Sequence, residues 1–127
     1  PLLDRIDLHI EVPPVRVEDI ERAEEGESSA VIRERVNAAR RIQEERFADA
    51  SAYYCNAQMG AKMITRYCPL DDHSSRLLHQ AVERLGLSAR AYSRILKIGR
   101  TIADLAGARE ISSSHIAEAI QYRRMQY

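Results

Sequence analysis

The three residues Gly86-Leu87-Ser88 constrain this chain more than any others, because they separate two runs that can each only be a helix. Before them, Leu77, Leu78, Ala81, Val82 and Leu85 recur at helical spacing and make one apolar stripe. Asp71 stands where its carboxylate can accept from the free N–H groups of the opening turn. Gly86 can end that helix in a left-handed conformation that costs glycine nothing. Ser88 can cap the next helix, whose stripe is Tyr92, Ile95, Leu96, Ile102, Leu105 and Ala106, with Gly107 as its stop. Neither stripe can be buried by its own helix. The sequence therefore predicts an all-α helical bundle with core helices over about Asp71–Leu85, Ser88–Ala106 and Ser112–Arg123. Its expected interior is Leu77, Leu78, Val82, Leu85, Ile95, Leu96, Ile102, Leu105, Ile116 and Ile120.

A chain of 127 residues holds one such domain, or one domain with an arm. The arm is the N-terminal stretch, where Ile6, Leu8, Ile10 and Val12 alternate with Asp7, His9 and Glu11 until Pro13-Pro14. That alternation predicts one orphan strand. A lone strand has no partner for its backbone groups. It is therefore expected to pair with a second copy or to lie across the bundle in a lattice contact, and not to join an internal sheet. The chain also opens on Pro1 in mid-pattern, as a piece of a longer protein would. Val15 to Glu27 is acidic and poorly patterned, with room for a short helical piece. Ser28 or Ser29 then opens a long flanking helix to about Phe47, with Ile32, Val36 and Ala39 inward. Its many charges, Arg46 among them, are expected to be solvated and held by i,i+4 pairs. Ala48–Gly60 reads as a linker, and Ala61–Tyr67 as a short helix closed by Cys68-Pro69.

Most chemistries are excluded. No phosphate loop of the G-x-x-x-x-G-K-[ST] type, glycine-rich dinucleotide turn, G-x-S-x-G elbow or H-E-x-x-H is present. The pairs Asp71-Asp72 and Glu44-Glu45 fall on a cap and a solvated face. His9, His73, His79 and His115 have no evident partners, and Cys55 and Cys68 lack the close pairing that zinc sites use, so no metal is expected. The two cysteines are expected as free thiols. No apolar run is long enough to span a membrane and there is no signal-peptide pattern, which predicts a cytoplasmic protein with no membrane partner. Net charge is zero, so no global field favours nucleic acid. Yet of 19 basic residues all but Lys62 and Lys97 are arginine, the side chain whose rigid fork meets carboxylates and phosphates.

Five separated motifs rise above this background. They are Leu2-Leu-Asp-Arg-Ile-Asp-Leu8 leading into the alternating stretch, Arg35-Val-Asn-Ala-Ala-Arg-Arg-Ile-Gln-Glu-Glu-Arg46, Asn56-Ala-Gln-Met59 with Cys68-Pro-Leu-Asp71, Ser88-Ala-Arg-Ala-Tyr-Ser-Arg94 with its helix, and Ile111-Ser-Ser-Ser-His-Ile-Ala-Glu-Ala-Ile-Gln-Tyr-Arg123. In this order and spacing they resemble the C-terminal part of the magnesium-chelatase-related AAA+ ATPases of the ComM/YifB type. The resemblance implies that residues 1–14 end the ATPase core, that 15–69 connect, and that 70–127 form the helical lid. It implies that Arg5 is an arginine finger acting in trans and that Arg90 is a sensor-2 residue contacting nucleotide, with Arg94 either supporting it or lying on the surface. ATP and Mg2+ are then cofactors of the parent protein, and the fragment alone should bind neither and hydrolyse nothing. The implied partners are the rest of the AAA+ core, neighbouring subunits of a homo-oligomeric hexameric ring, and DNA during recombination. The residues alone also allow a different reading, a free-standing helix–turn–helix DNA-binding module in which Arg90, Tyr92 and Arg94 open a recognition helix.

Overall fold

A computed structural model describes residues 5–22, 26–50 and 53–123. The first residues of the N-terminal motif, Leu2 to Asp4, lie outside them. Six helices follow in order: α1 (Val17–Glu21), α2 (Ser29–Arg46), α3 (Ala61–Tyr67), α4 (Asp72–Leu85), α5 (Ala89–Leu105) and α6 (Ser113–Gln121). A 3-10 turn, Asn56–Gln58, interrupts the connection between α2 and α3. Among the described residues there is no strand, and the fold is all-α.

The helix boundaries follow from local chemistry. Asp71 accepts from Ser74 N–H at 2.7 Å and Ser88 from Ala91 N–H at 3.1 Å, each satisfying an otherwise orphaned donor. Gly86 takes a left-handed φ of 61°, where a Cβ would be strained. Ser28 caps α2 in the same manner, accepting from Val31 N–H at 3.2 Å.

Helix α5 is the centre of the bundle. It packs on α2, α3, α6 and the 3-10 turn, and α6 fills the space between α4 and α5. Gly99 lets α6 come close, since a Cβ there would stand 3.0 Å from Ile116 Cδ1. Leu78, Ile95, Leu96, Ile116 and Ile120 are buried as expected, while Leu77, Val82, Leu85 and Ile102 are partly buried around them. Leu105 is not interior: it is 41% exposed at the last position of α5. Phe47, Met59, Cys68, Ala103, Ile111 and Ala119 complete the core.

Two expectations are corrected. The alternating N-terminal stretch is not a strand; it lies extended against its own bundle, with His9 N–H donating to Tyr122 O at 2.9 Å. The bundle gives its apolar side chains little shelter: Ile6, Leu8, Ile10 and Val12 are 44%, 47%, 64% and 80% exposed, and the segment is held through Asp7 and His9 instead. The long helix does not bury Ile32 or Val36, which are 42% and 41% exposed; Ala39 is buried as expected, and Gln43 and the following Phe47 are buried with it. Within the expected linker, Asn56 and Met59 are buried. Leu78→Ala should therefore cost about 2–5 kcal/mol. Leu105→Ala should cost less than about 1 kcal/mol. Urea midpoints of the two variants check this contrast.

Candidate functional site

Arginines placed along α5 and its neighbours fall into two groups. Arg90 is the second residue of α5, just beyond the Ser88 cap, and is exposed. Arg5 is exposed at the start of the described chain. Among the described residues neither has a hydrogen-bond or ion-pair partner, and no bond joins one to the other. Arg94, one turn beyond Arg90, is engaged: its Nη1 donates to Asp7 Oδ1 at 2.7 Å. A groove of about 390 Å³ opens beside this pair. Leu8 and Ile10 form one wall, and Ile98, Ile102, Leu105 and Tyr122 the other.

The second group is buried and was not anticipated. Asp104 is fully buried on α5, and Arg46 at the end of α2 meets it with two parallel bonds, Nη1 to Oδ2 at 2.8 Å and Nη2 to Oδ1 at 2.7 Å. Arg46 Nη1 also donates to Asn56 Oδ1 at 2.8 Å. The Asn56 amide donates in turn to Asp104 Oδ2 at 2.9 Å and to Thr101 Oγ1 at 3.0 Å. Gln43 Oε1 accepts from Asn56 N–H at 2.9 Å. Arg100, one turn before Asp104, lies 3.2 Å from Oδ1 and donates to the carbonyls of Ala108 and Arg109. The hydrogen bond that Arg46 donates to Asp104, more than burial opposes it, makes Arg46 hold its proton more firmly than a free arginine. Arg46 is thus not a solvated surface charge. A sequence signal did exist: Leu96, Arg100 and Asp104 fall at i, i+4 and i+8, so an ion pair continues a buried stripe.

The remaining reactive side chains serve the fold. His115 Nδ1 accepts from Ser112 N–H at 2.9 Å at the start of α6, and the His79 ring stacks on Tyr92 at 6.4 Å. Burial pushes the Cys68 thiol up to about 11, although Arg100 and Arg46 pull the other way. Cys55 and Cys68 are both free. Among the described residues no group of three or more His, Cys, Asp or Glu converges to hold a metal ion. Nor is any helix among them long and apolar enough to cross a membrane. The geometry does not favour the recognition-helix reading. Helix α5 is enclosed by α2, α3, α6 and the 3-10 turn, Tyr92 is half-buried and Arg94 is paired.

Residues 26–123 match the family model described as magnesium chelatase, subunit ChlI C-terminal. The chain is 46% identical to the competence protein ComM of Haemophilus influenzae over 126 residues, 98% of its own length. It is 41% identical over 97% of its length to the uncharacterised protein YifB of Salmonella typhimurium, and 38% identical to YifB of Escherichia coli. In each case it spans 24% of the relative.

Asp104→Ala should leave two guanidinium groups in the interior without their carboxylate and destabilise the fold by about 3–5 kcal/mol, read from urea denaturation. Thiol labelling at pH 8 gives a second check. Cys68, with its thiol raised from 9.0 to about 11, holds roughly a hundredfold less thiolate than an unshifted cysteine. It should label only as the protein unfolds, whereas the half-buried Cys55 should label in the native state.

Proposed function

The chain belongs to the magnesium chelatase, subunit ChlI C-terminal family, and on that premise we propose that it is the helical lid of a ring-forming AAA+ ATPase. In this reading residues 1–14 are the end of the ATPase core, 15–69 connect, and 70–127 are the lid. The lid contributes Arg90 as a nucleotide-sensing arginine, and the core end contributes Arg5 as an arginine finger toward the neighbouring subunit. One observation carries the proposal. The family match covers residues 26–123, and within it Arg90 stands exposed on the first turn of α5; Arg5 is exposed too, and like Arg76, Arg84 and other surface arginines neither has a partner among the described residues, whereas Arg46, Arg94 and Arg100 are engaged. Guanidinium groups held out in this way are suited to a phosphate brought by another part of the assembly.

The chemistry asked of them is electrostatic. As a γ-phosphoryl group transfers, charge spreads over its equatorial oxygens, and a planar cation at that position lowers the barrier. Arg5 would supply that cation. Arg90, at the exposed opening of α5, would bind the nucleotide's phosphates and report their presence to the helix that centres the bundle. ATP and Mg2+ would be held chiefly by residues outside this chain, since it has no phosphate loop and, among the described residues, no acidic cluster for the metal. The length of the relatives supports such a division, because this chain spans about a quarter of them. One relative is named a competence protein, which fits DNA as what the assembled ring would act on; branch movement during recombination is what the family resemblance implies.

The test uses the longer protein. Arg5→Ala should lower ATP turnover by about 10³–10⁵, the loss typical of a missing arginine finger. Arg90→Ala should also lower it by orders of magnitude, and both variants should keep the wild-type melting temperature. Mixing the Arg5 variant with a phosphate-loop variant should restore part of the turnover at mixed interfaces. A mixture as inactive as its components would remove action in trans, and ATP hydrolysis by the 127-residue chain alone would remove the reading altogether.

A further inference from the structure

Two contacts only two residues apart hold the N-terminal segment on the bundle. Asp7 reaches α5 through Arg94 at 2.7 Å, and His9 reaches Tyr122, just past the end of α6, through its backbone N–H at 2.9 Å. Between and after them, Leu8 and Ile10 wall a groove whose other side includes Ile98, Ile102 and Leu105 of α5. Arg5 precedes Asp7 by two residues, which spans at most about 7 Å of extended chain. Where the segment is docked, the position of Arg5 is therefore fixed to within a side chain's reach.

We propose that Arg94 is a positioning residue: through Asp7 it holds the segment carrying Arg5 against α5, so that the helical bundle sets where Arg5 points. The inference rests on the reading of Arg5 as a transition-state arginine and departs from any role for Arg94 as a direct nucleotide contact. The latch is built to release. Asp7 is 56% exposed, Ile6 to Ile10 forms neither helix nor strand, and exposed ion pairs shift an equilibrium only about two- to fivefold. A contact of that strength can be made and broken in each catalytic cycle, where a buried pair such as Arg46–Asp104 cannot. Movement of α5, whose first turn carries Arg90, would then be transmitted to the Arg5 segment through the Arg94–Asp7 pair.

The experiment uses the full-length ATPase with Arg94→Asp, Asp7→Arg, the two combined, Arg94→Gln and, as reference, Arg5→Ala. Arg94→Asp sets two carboxylates against each other, so kcat should fall about five- to tenfold with KM for ATP and melting temperature unchanged. Arg94→Gln should give a smaller loss. The charge-reversed pair should recover to within about twofold of the wild type, as a direct pairwise interaction requires. A raised KM with kcat retained would show that Arg94 contacts nucleotide and would overturn the proposal. A reversed pair no more active than Arg94→Asp would also overturn it, as would losses that merely track a lowered melting temperature. If Arg5→Ala abolishes turnover while Arg94→Asp leaves it intact, this inference fails and the reading of Arg5 stands. If Arg5→Ala is fully active, both fall.

Discussion

The buried carboxylate of Asp104 is the constraint that the rest of the molecule answers to. An ionised group with no access to water is costly unless charge and hydrogen bonds surround it. Here Arg46 meets both oxygens, Asn56 meets one and Arg100 approaches the other. Such a pair need not make the fold more stable than well-packed apolar residues would. Its effect is on register. Arg46 is the last residue of α2 and Asn56 the first of the 3-10 turn, so one carboxylate fixes where the long helix ends and how the chain turns back toward α3. Slippage of α2 by one residue along α5 would leave a buried charge without its partner.

Aromatic side chains close this network from outside. Phe47 packs edge-on against Tyr67 with ring centroids 5.6 Å apart, and against Tyr53 at 6.1 Å. The Arg46 guanidinium stands 5.9 Å above the Tyr67 ring, and Tyr67 hydroxyl donates to Arg46 O at 3.3 Å. These rings keep water from competing for the bonds beneath them, which raises the strength of each one. On the opposite side of α5, Gly99 admits α6 so closely that Ile116 is fully buried. Helix α5 is thus held by charge on one side and by apolar contact on the other, and Arg90 rides on its exposed first turn.

What could be read in advance was whatever the chain specifies within a few residues. Asp71, Gly86, Ser88 and Gly107 each satisfy or forbid a local backbone conformation, so the limits of α4 and α5 followed from residue type alone. The family resemblance was equally accessible, because its motifs are strings of residues. The placement of α2 was not. Its most apolar positions, Ile32 and Val36, precede the part that touches α5, and the contact is made by Ala39, Gln43 and the charged Arg46. No periodicity distinguishes an arginine that will find a buried aspartate 58 residues away from one that will stay in water. The N-terminal stretch failed for the opposite reason. Its period of two is a true pattern, but alternation makes a strand only where a partner strand is present, and here the segment meets Arg94 and Tyr122 through Asp7 and His9 while its apolar side chains stay largely exposed.

The arginine bias then has a physical explanation that charge balance alone does not supply. A lysine at position 46 could donate to one Asp104 oxygen as a point charge, but it could not hold both oxygens and Asn56 Oδ1 at once from one planar group. At position 100 the fork reaches two carbonyls and a carboxylate together. At position 94 only one nitrogen is engaged, on the surface, and the contact is correspondingly weak. These sites form a gradient, from a pair that cannot open without unfolding, through one that opens easily, to Arg5 and Arg90, which have no internal partner among the described residues. Each step outward trades fixed geometry for availability to a ligand. In the proposed reading the rigid centre fixes where the backbone of α5 begins, so that only the Arg90 side chain has to be ordered at each encounter. The less that must be reordered, the more an electrostatic contact can favour a transition state.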